Sequence, residues 1–190
     1  MTTVGLLLAA GAGARYGEPK ILVRGWLDLA VTALRGGGCS EVLVVVGAVH
    51  PPMPTGALAV VNENWQSGMA GSLQVGLLEC ENTLATHAAV HLVDTPDIGG
   101  DVVRRVLDAA EPTGLARATF GGRPGHPVVL ARRWWADAGS GTGDEGARAF
   151  LRGNPEVLGV ECHDLATGVD HDYCGPEQGT RTHATEFRRG

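Results

Sequence analysis

Lysine is nearly missing from this chain: of its 15 basic residues only Lys20 is a lysine, and the rest are arginine. Arginine offers a planar fork and lysine a compact point charge, so a single retained lysine marks a position with its own requirement. Cysteine is sparse too, and Cys39, Cys80, Cys162 and Cys174 form no CxxC pair and no zinc-like spacing. That pattern predicts reduced thiols in a cytoplasmic protein. No run approaches the ~18 apolar residues of a membrane span. The opening Met1-Thr2-Thr3-Val4 lacks the basic start of a signal peptide. A broad basic surface is also missing, since the net charge is −6. This argues against nonspecific nucleic-acid binding but leaves room for a small basic pocket that takes a phosphorylated ligand.

Glycine is what the chain has in excess, at 29 of 190 residues, about twice the average share of ~7 %. The glycines follow no G-X-Y period and gather in loops, as in a backbone that bends around something. The length and the 44 % apolar content suit one globular domain, expected over residues 1–175, followed by a polar tail over 176–190. Apolar runs predict strands over 3–10, 41–47, 57–61, 88–93, 115–119, 127–131 and 157–162. Helices are expected over 26–34, 72–78, 102–110 and 145–152. Strands and helices alternate, which predicts an α/β layered fold with a mostly parallel sheet. Ligands of such sheets sit at the carboxyl ends of the strands. Three loops of unusual chemistry leave strand ends there, 11–20, 62–71 and 94–97, and the active site is expected where they meet.

The loop Gly11-Ala12-Gly13-Ala14-Arg15-Tyr16-Gly17-Glu18-Pro19-Lys20 reads as a phosphate cradle. Its glycines let main-chain N–H groups approach an anion, and Arg15 and Lys20 add positive charge. It is neither a Walker A loop nor a dinucleotide fingerprint, because the glycines fall as GxGxxxG and no Gly-Lys-Ser/Thr follows. Asp94 ends an apolar strand, where a carboxylate can hold magnesium beside substrate phosphates. Asp97, two residues before Gly99, reads as a cap on the next helix. In Asp170-His171-Asp172 an extended backbone points both carboxylates the same way, so the pair can complete a metal site. His126, between Gly125 and Pro127, is expected in a loop, as a phosphate donor or a turn residue. Asp144-Glu145 with Arg148 fits an acidic first turn and an i,i+4 ion pair, or a substrate contact. Trp134-Trp135 reads as packing.

The stretch Leu8–Lys20 resembles the opening signature of the MobA-like NTP transferases, and within them the molybdenum cofactor cytidylyltransferases. The resemblance continues through Asn64–Leu73, Val93-Asp94-Thr95-Pro96, Gly122–Val128 and Gly143–Arg148, and more loosely Asp170-His171-Asp172. It implies a Rossmann-like three-layer α/β sandwich of the nucleotidyltransferase type. Carried over residue by residue, it implies that Leu8, Ala9, Ala10, Gly11 and Gly13 hold the nucleotide, and that Arg15 and Lys20 hold its phosphates. Asp94 and Asp172 are implied as ligands of Mg2+, and Gly68, Met69 and Ser72 as selectors of the base. Ala10 and Gly68-Met69 stand where the guanylyltransferases tend to carry a second glycine and a Gly-Pro, which leans toward CTP. Gly125, His126 and Asp144 are implied as acceptor contacts.

The expected activity is transfer of CMP from CTP to the phosphate of molybdopterin, with a recipient molybdoenzyme or its chaperone taking the product. The chain departs from the family in a shortened stretch after Lys20, in Thr95, and in Tyr173-Cys174 after Asp172. These departures keep two alternatives open. One is a sugar phosphate or other phosphomonoester as acceptor. The other is a non-catalytic protein that binds a nucleotide or pterin.

Overall fold

An unbroken apolar run, Thr3–Leu8, forms strand β1, with every residue buried. Glu41–Val46 (β2) is nearly as dry, whereas Ala57–Val61 (β3) buries only its first residue, as suits a strand at the sheet edge. The remaining strands are His87–Leu92 (β4), Leu115–Phe120 (β5), Arg123–Ala131 (β6) and Leu158–Glu161 (β7). They make one seven-stranded sheet in the order β3-β2-β1-β4-β6-β5-β7. Pairing is parallel from β3 through β4 and between β5 and β7, and β6 runs antiparallel to both its neighbours. The computed structural model describes residues 1–172; the expected polar tail and Cys174 lie outside them.

Helices cover both faces. Trp26–Gly37 (α1) and Gly100–Ala110 (α3) turn Leu34, Val103 and Val106 onto one face, against Leu7, Val44 and Ala89. Met69–Glu81 (α2) covers the other face with Leu73 and Leu77, joined by the short helices Trp135–Ala138 (α4) and Arg148–Gly153 (α5). The result is the three-layer, mostly parallel α/β sandwich. Burying each such aliphatic side chain contributes about 1.5–3 kcal/mol. Trp135 is the largest fully buried side chain and donates Nε1–H to Leu130 O at 3.0 Å, while Trp134 lies against Phe150. The tryptophan pair is packing, as its sequence context predicts.

Three local expectations are corrected. Strand β6 starts at Arg123 rather than Pro127, so His126 stands in a strand and not in a loop. Helix α2 starts at Met69 rather than Ser72. The helix expected over 145–152 splits into a 3-10 turn, Gly143–Glu145, and α5. Gly146 lies between them with φ +53, so Asp144 and Arg148 share no helix, and no ion pair joins them among the described residues. Among the described residues no helix is long and apolar enough to cross a membrane. Cys39, Cys80 and Cys162 are buried and free.

Candidate active site

Sequence order and sheet order part company between β1 and β4. From β1 the chain moves outward to β2 and β3, then returns to place β4 on the other side of β1. Such a switch point leaves a crevice beyond the strand ends. The cleft found there has a volume of about 380 Å³. Its floor is the end of β1, with Leu8, Ala9, Ala10, Gly11, Gly13 and Arg15 along the following loop. Gly13 has φ +66, and a Cβ there would overlap the Glu18 carbonyl oxygen. The loop closes on itself there, with Gly17 N–H donating to Gly13 O at 2.8 Å.

The opposite wall is the start of α2. Gly68, Met69 and Ser72 line it. Ser72 is buried, and its Oγ accepts a 3.0 Å hydrogen bond from Asn62 Nδ2, so a residue at the end of β3 fixes its orientation. Gly68 lies against Gly143 and Asp144, which brings Asp144 into the lining. Gly125 and His126 are not among the lining residues. They sit further along β6, where the Arg117 guanidinium donates to Gly125 O at 3.5 Å. Burial lowers the His126 pKa, and His91, Arg117 and Arg148 push it the same way.

Lys20 stands at the centre of the cleft's charge. Its Nζ donates to Asp94 Oδ2 at 2.7 Å and to Asp172 Oδ1 at 2.9 Å. Arg15 reaches the other Asp172 oxygen at 4.0 Å with a largely exposed side chain. Burial acts to lower the Lys20 pKa, but the hydrogen bonds and charges of the two carboxylates outweigh it and hold the pKa above its ordinary value. The Lys20 hydrogen bond, against a smaller opposing effect of burial, keeps the Asp172 carboxyl below its usual range. The ammonium is charged, and at least Asp172 is ionised, at neutral pH.

One atom in this group is left over. Asp94 Oδ1 is buried and has no hydrogen-bond partner among the described residues, a costly state for a carboxylate oxygen. Among the described residues no group of three or more His, Cys, Asp or Glu side chains gathers to cage a metal. Two carboxylates, one with an unused oxygen, fit a magnesium ion that keeps waters and takes substrate phosphates for its remaining positions. The donor set therefore suits Mg2+ or Mn2+ and does not suit zinc.

Asp97 does not cap α3. The N-cap there is Gly99, and among the described residues no side chain caps that helix end. Asp97 Oδ2 instead accepts from the Thr167 N–H, the Thr167 hydroxyl and the Gly168 N–H. Tyr16, Trp65 and Gln66, which lie in the loops expected to form the site but carry no role in the sequence reading, also line the cleft. The Trp26 ring lies between Tyr16 and His171, each at 5.4 Å. Only a tertiary contact reveals that role, because in the sequence Trp26 reads simply as the start of α1.

Solved structures share this fold. Rv0371c from Mycobacterium tuberculosis H37Rv superposes with a TM-score of 0.75 at 25 % identity, over 91 % of this chain and 94 % of that one. The structure of Rv0371C in complex with manganese gives 0.71 at 23 % identity, over 90 % and 94 %. The 2-C-methyl-D-erythritol 4-phosphate cytidylyltransferase from Thermus thermophilus gives 0.62 at 23 % identity, over 90 % and 94 %. Comparison with curated protein sequences yields no match. Residues 5–158 match the family model of the MobA-like NTP transferase domain, which takes in the glycine-rich loop, Asp94 and Asp144, and the chain belongs to that family.

Proposed function

We propose that this chain is a magnesium-dependent cytidylyltransferase that transfers CMP from CTP to the phosphate of molybdopterin and releases pyrophosphate. The observation that carries this reading is the Lys20 ammonium between Asp94 and Asp172, in a glycine-walled cleft, with Asp94 Oδ1 unpartnered among the described residues. A phosphomonoester has its second pKa near ~6 and is largely dianionic at neutral pH. The acceptor therefore attacks the α-phosphorus without a general base, and the protein's task is alignment and charge neutralisation.

In this reading the 11–20 loop wraps the triphosphate, and Lys20 and Arg15 neutralise the leaving pyrophosphate. Asp94 and Asp172 hold the metal, which when bound supplies positive charge at the α-phosphate. Gly68, Met69 and the oriented Ser72 hydroxyl select the base. Asp144 meets the acceptor at the cleft, with Gly125 and His126 beyond it on β6. Cys39, Cys80 and Cys162, buried and unpaired, fit a reducing cytoplasm, and a recipient molybdoenzyme or its chaperone takes the product.

The test is calorimetric binding of CTP, GTP and ATP with and without Mg2+. CTP is expected to bind best, and more tightly with the metal present. Preference for another nucleotide overturns the base assignment, and no binding of any overturns the whole reading. A second reading, with a sugar phosphate or similar monoester as acceptor, draws on the short connection after Lys20. A three-residue turn, Lys20–Leu22, leads almost directly to α1. Pyrophosphate release with molybdopterin alone excludes it, and release with the sugar phosphate alone favours it.

A further inference from the structure

Asp172 belongs to no helix or strand, yet it must meet Asp94 to within the width of one cation. It arrives on a strap that leaves β7 at the far edge of the sheet and crosses the strand ends toward β4. The strap's backbone has few fixed points. Leu165 N–H and Ala166 N–H bond to Cys162 O at its start, and His171 N–H donates to Asp94 O at 3.1 Å at its end. Between them, one carboxylate oxygen gathers three donors. Asp97 Oδ2 accepts from Thr167 N at 2.7 Å, Thr167 Oγ1 at 2.6 Å and Gly168 N at 3.2 Å. Gly168 turns there with φ +63, and its Cα lies against the Phe120 ring so closely that a Cβ would overlap it.

The loop that presents Asp94 therefore also grips, three residues later, the strap that brings the second carboxylate. We propose that Asp97 is a positioning residue for divalent-metal binding, acting through Thr167 and Gly168 to set Asp172 opposite Asp94. Asp97 is absent from the cleft lining, so it acts through the strap and not by touching the nucleotide. A carboxylate accepting two N–H groups and a hydroxyl makes charge-assisted bonds, stronger than neutral ones. Three residues lie between Gly168 and Asp172, so loss of the anchor leaves the strap end held, among the described residues, by the His171 contacts with Asp94 and Trp26 and by the Lys20 and Arg15 contacts with the Asp172 carboxylate, which is itself the group to be placed.

This inference rests on the metal-binding reading of Asp94 and Asp172, and one experiment separates the two. Mn2+ affinity of the full chain in the presence of CTP is measured by electron paramagnetic resonance. The proteins are wild type, Asp97→Ala, Asp172→Asn and the double variant. Asp97→Ala is expected to weaken Mn2+ binding about tenfold, Asp172→Asn more than that, and the double variant no more than Asp172→Asn alone. CTP affinity without metal should stay at the wild-type level in Asp97→Ala. Thr167→Val removes one donor from the strap side and should weaken Mn2+ about threefold, which keeps the test decisive if Asp97→Ala folds poorly. Wild-type Mn2+ affinity in both Asp97→Ala and Thr167→Val overturns the proposal and leaves the metal site standing. So does a double variant whose losses multiply in full. An Asp172→Asn variant with unchanged Mn2+ affinity overturns the metal reading and the proposal together.

Discussion

Lys20 holds two carboxylates that would otherwise face each other across the cleft, and in our reading it also serves the triphosphate. Hydrogen bonds to charged groups contribute about 1.5–3 kcal/mol, so Lys20→Met should weaken CTP binding roughly 10- to 150-fold. The same variant frees Asp94 and Asp172 of a competing ammonium, and without nucleotide it should bind Mn2+ at least as tightly as wild type. Titration of both ligands checks this, and unchanged CTP affinity would remove Lys20 from phosphate binding. The importance of Lys20 is legible in the sequence because it is a matter of composition and local spacing. The role of Asp97 is not, because its partners stand 70 and 71 residues away on an irregular strap. Read locally, an aspartate just before a helix looks like a cap.

At the scale of elements, the loop after β1 depends on its glycine turn more than on its side chains. Gly13→Ala puts a β-carbon into the Glu18 carbonyl and a left-handed φ on an alanine, a strain of about 1–3 kcal/mol. CTP affinity is expected to fall at least tenfold, with a small drop in Tm seen by calorimetry. Wild-type affinity would show that the loop does not wrap the nucleotide. Strands β1 and β2 could be read from sequence because a buried strand is a nearly plain apolar run, and β4 could be read from its Ala88-Ala89-Val90 centre despite His91. The start of β6 could not. Gly121 and Gly122, both at positive φ, suffice for the turn from Phe120 to Arg123. Pro124, Gly125 and His126 read as loop but continue as strand. Pro124 is tolerated there because this part of β6 pairs only with β5, with β4 joining from Val128 onward.

At the scale of the whole molecule, the sheet encloses a histidine on one of its central strands. His91 is fully buried on β4, and both ring nitrogens are without partners among the described residues. Burial, against a weaker pull from Asp97, lowers its pKa to about 4. Above pH 6.5 the ring is neutral in both folded and unfolded chains and has no pH-linked effect. As pH falls below 6.5 the unfolded chain takes up a proton that the folded chain refuses until about pH 4, so stability declines across that window. Between pH 7 and pH 5 the loss is on the order of 2 kcal/mol. His91→Leu should remove that part of the acid sensitivity without loss of stability at pH 7. Urea unfolding at the two pH values checks this, and an equal acid loss in the variant would contradict it.

The layered fold was legible from the alternation of elements, and the convergence of loops 11–20, 62–71 and 94–97 from their position after strands. The route of the strap that delivers Asp172 was not, because no periodic pattern marks it. The most direct measurement is 31P NMR of the purified protein with CTP, Mg2+ and molybdopterin, run beside Asp94→Ala. Pyrophosphate and a new phosphoanhydride are expected with the wild-type chain, and neither with a folded Asp94→Ala variant. Product from Asp94→Ala at the wild-type rate, or none from the wild type while CTP and Mg2+ bind, would contradict the proposed transfer.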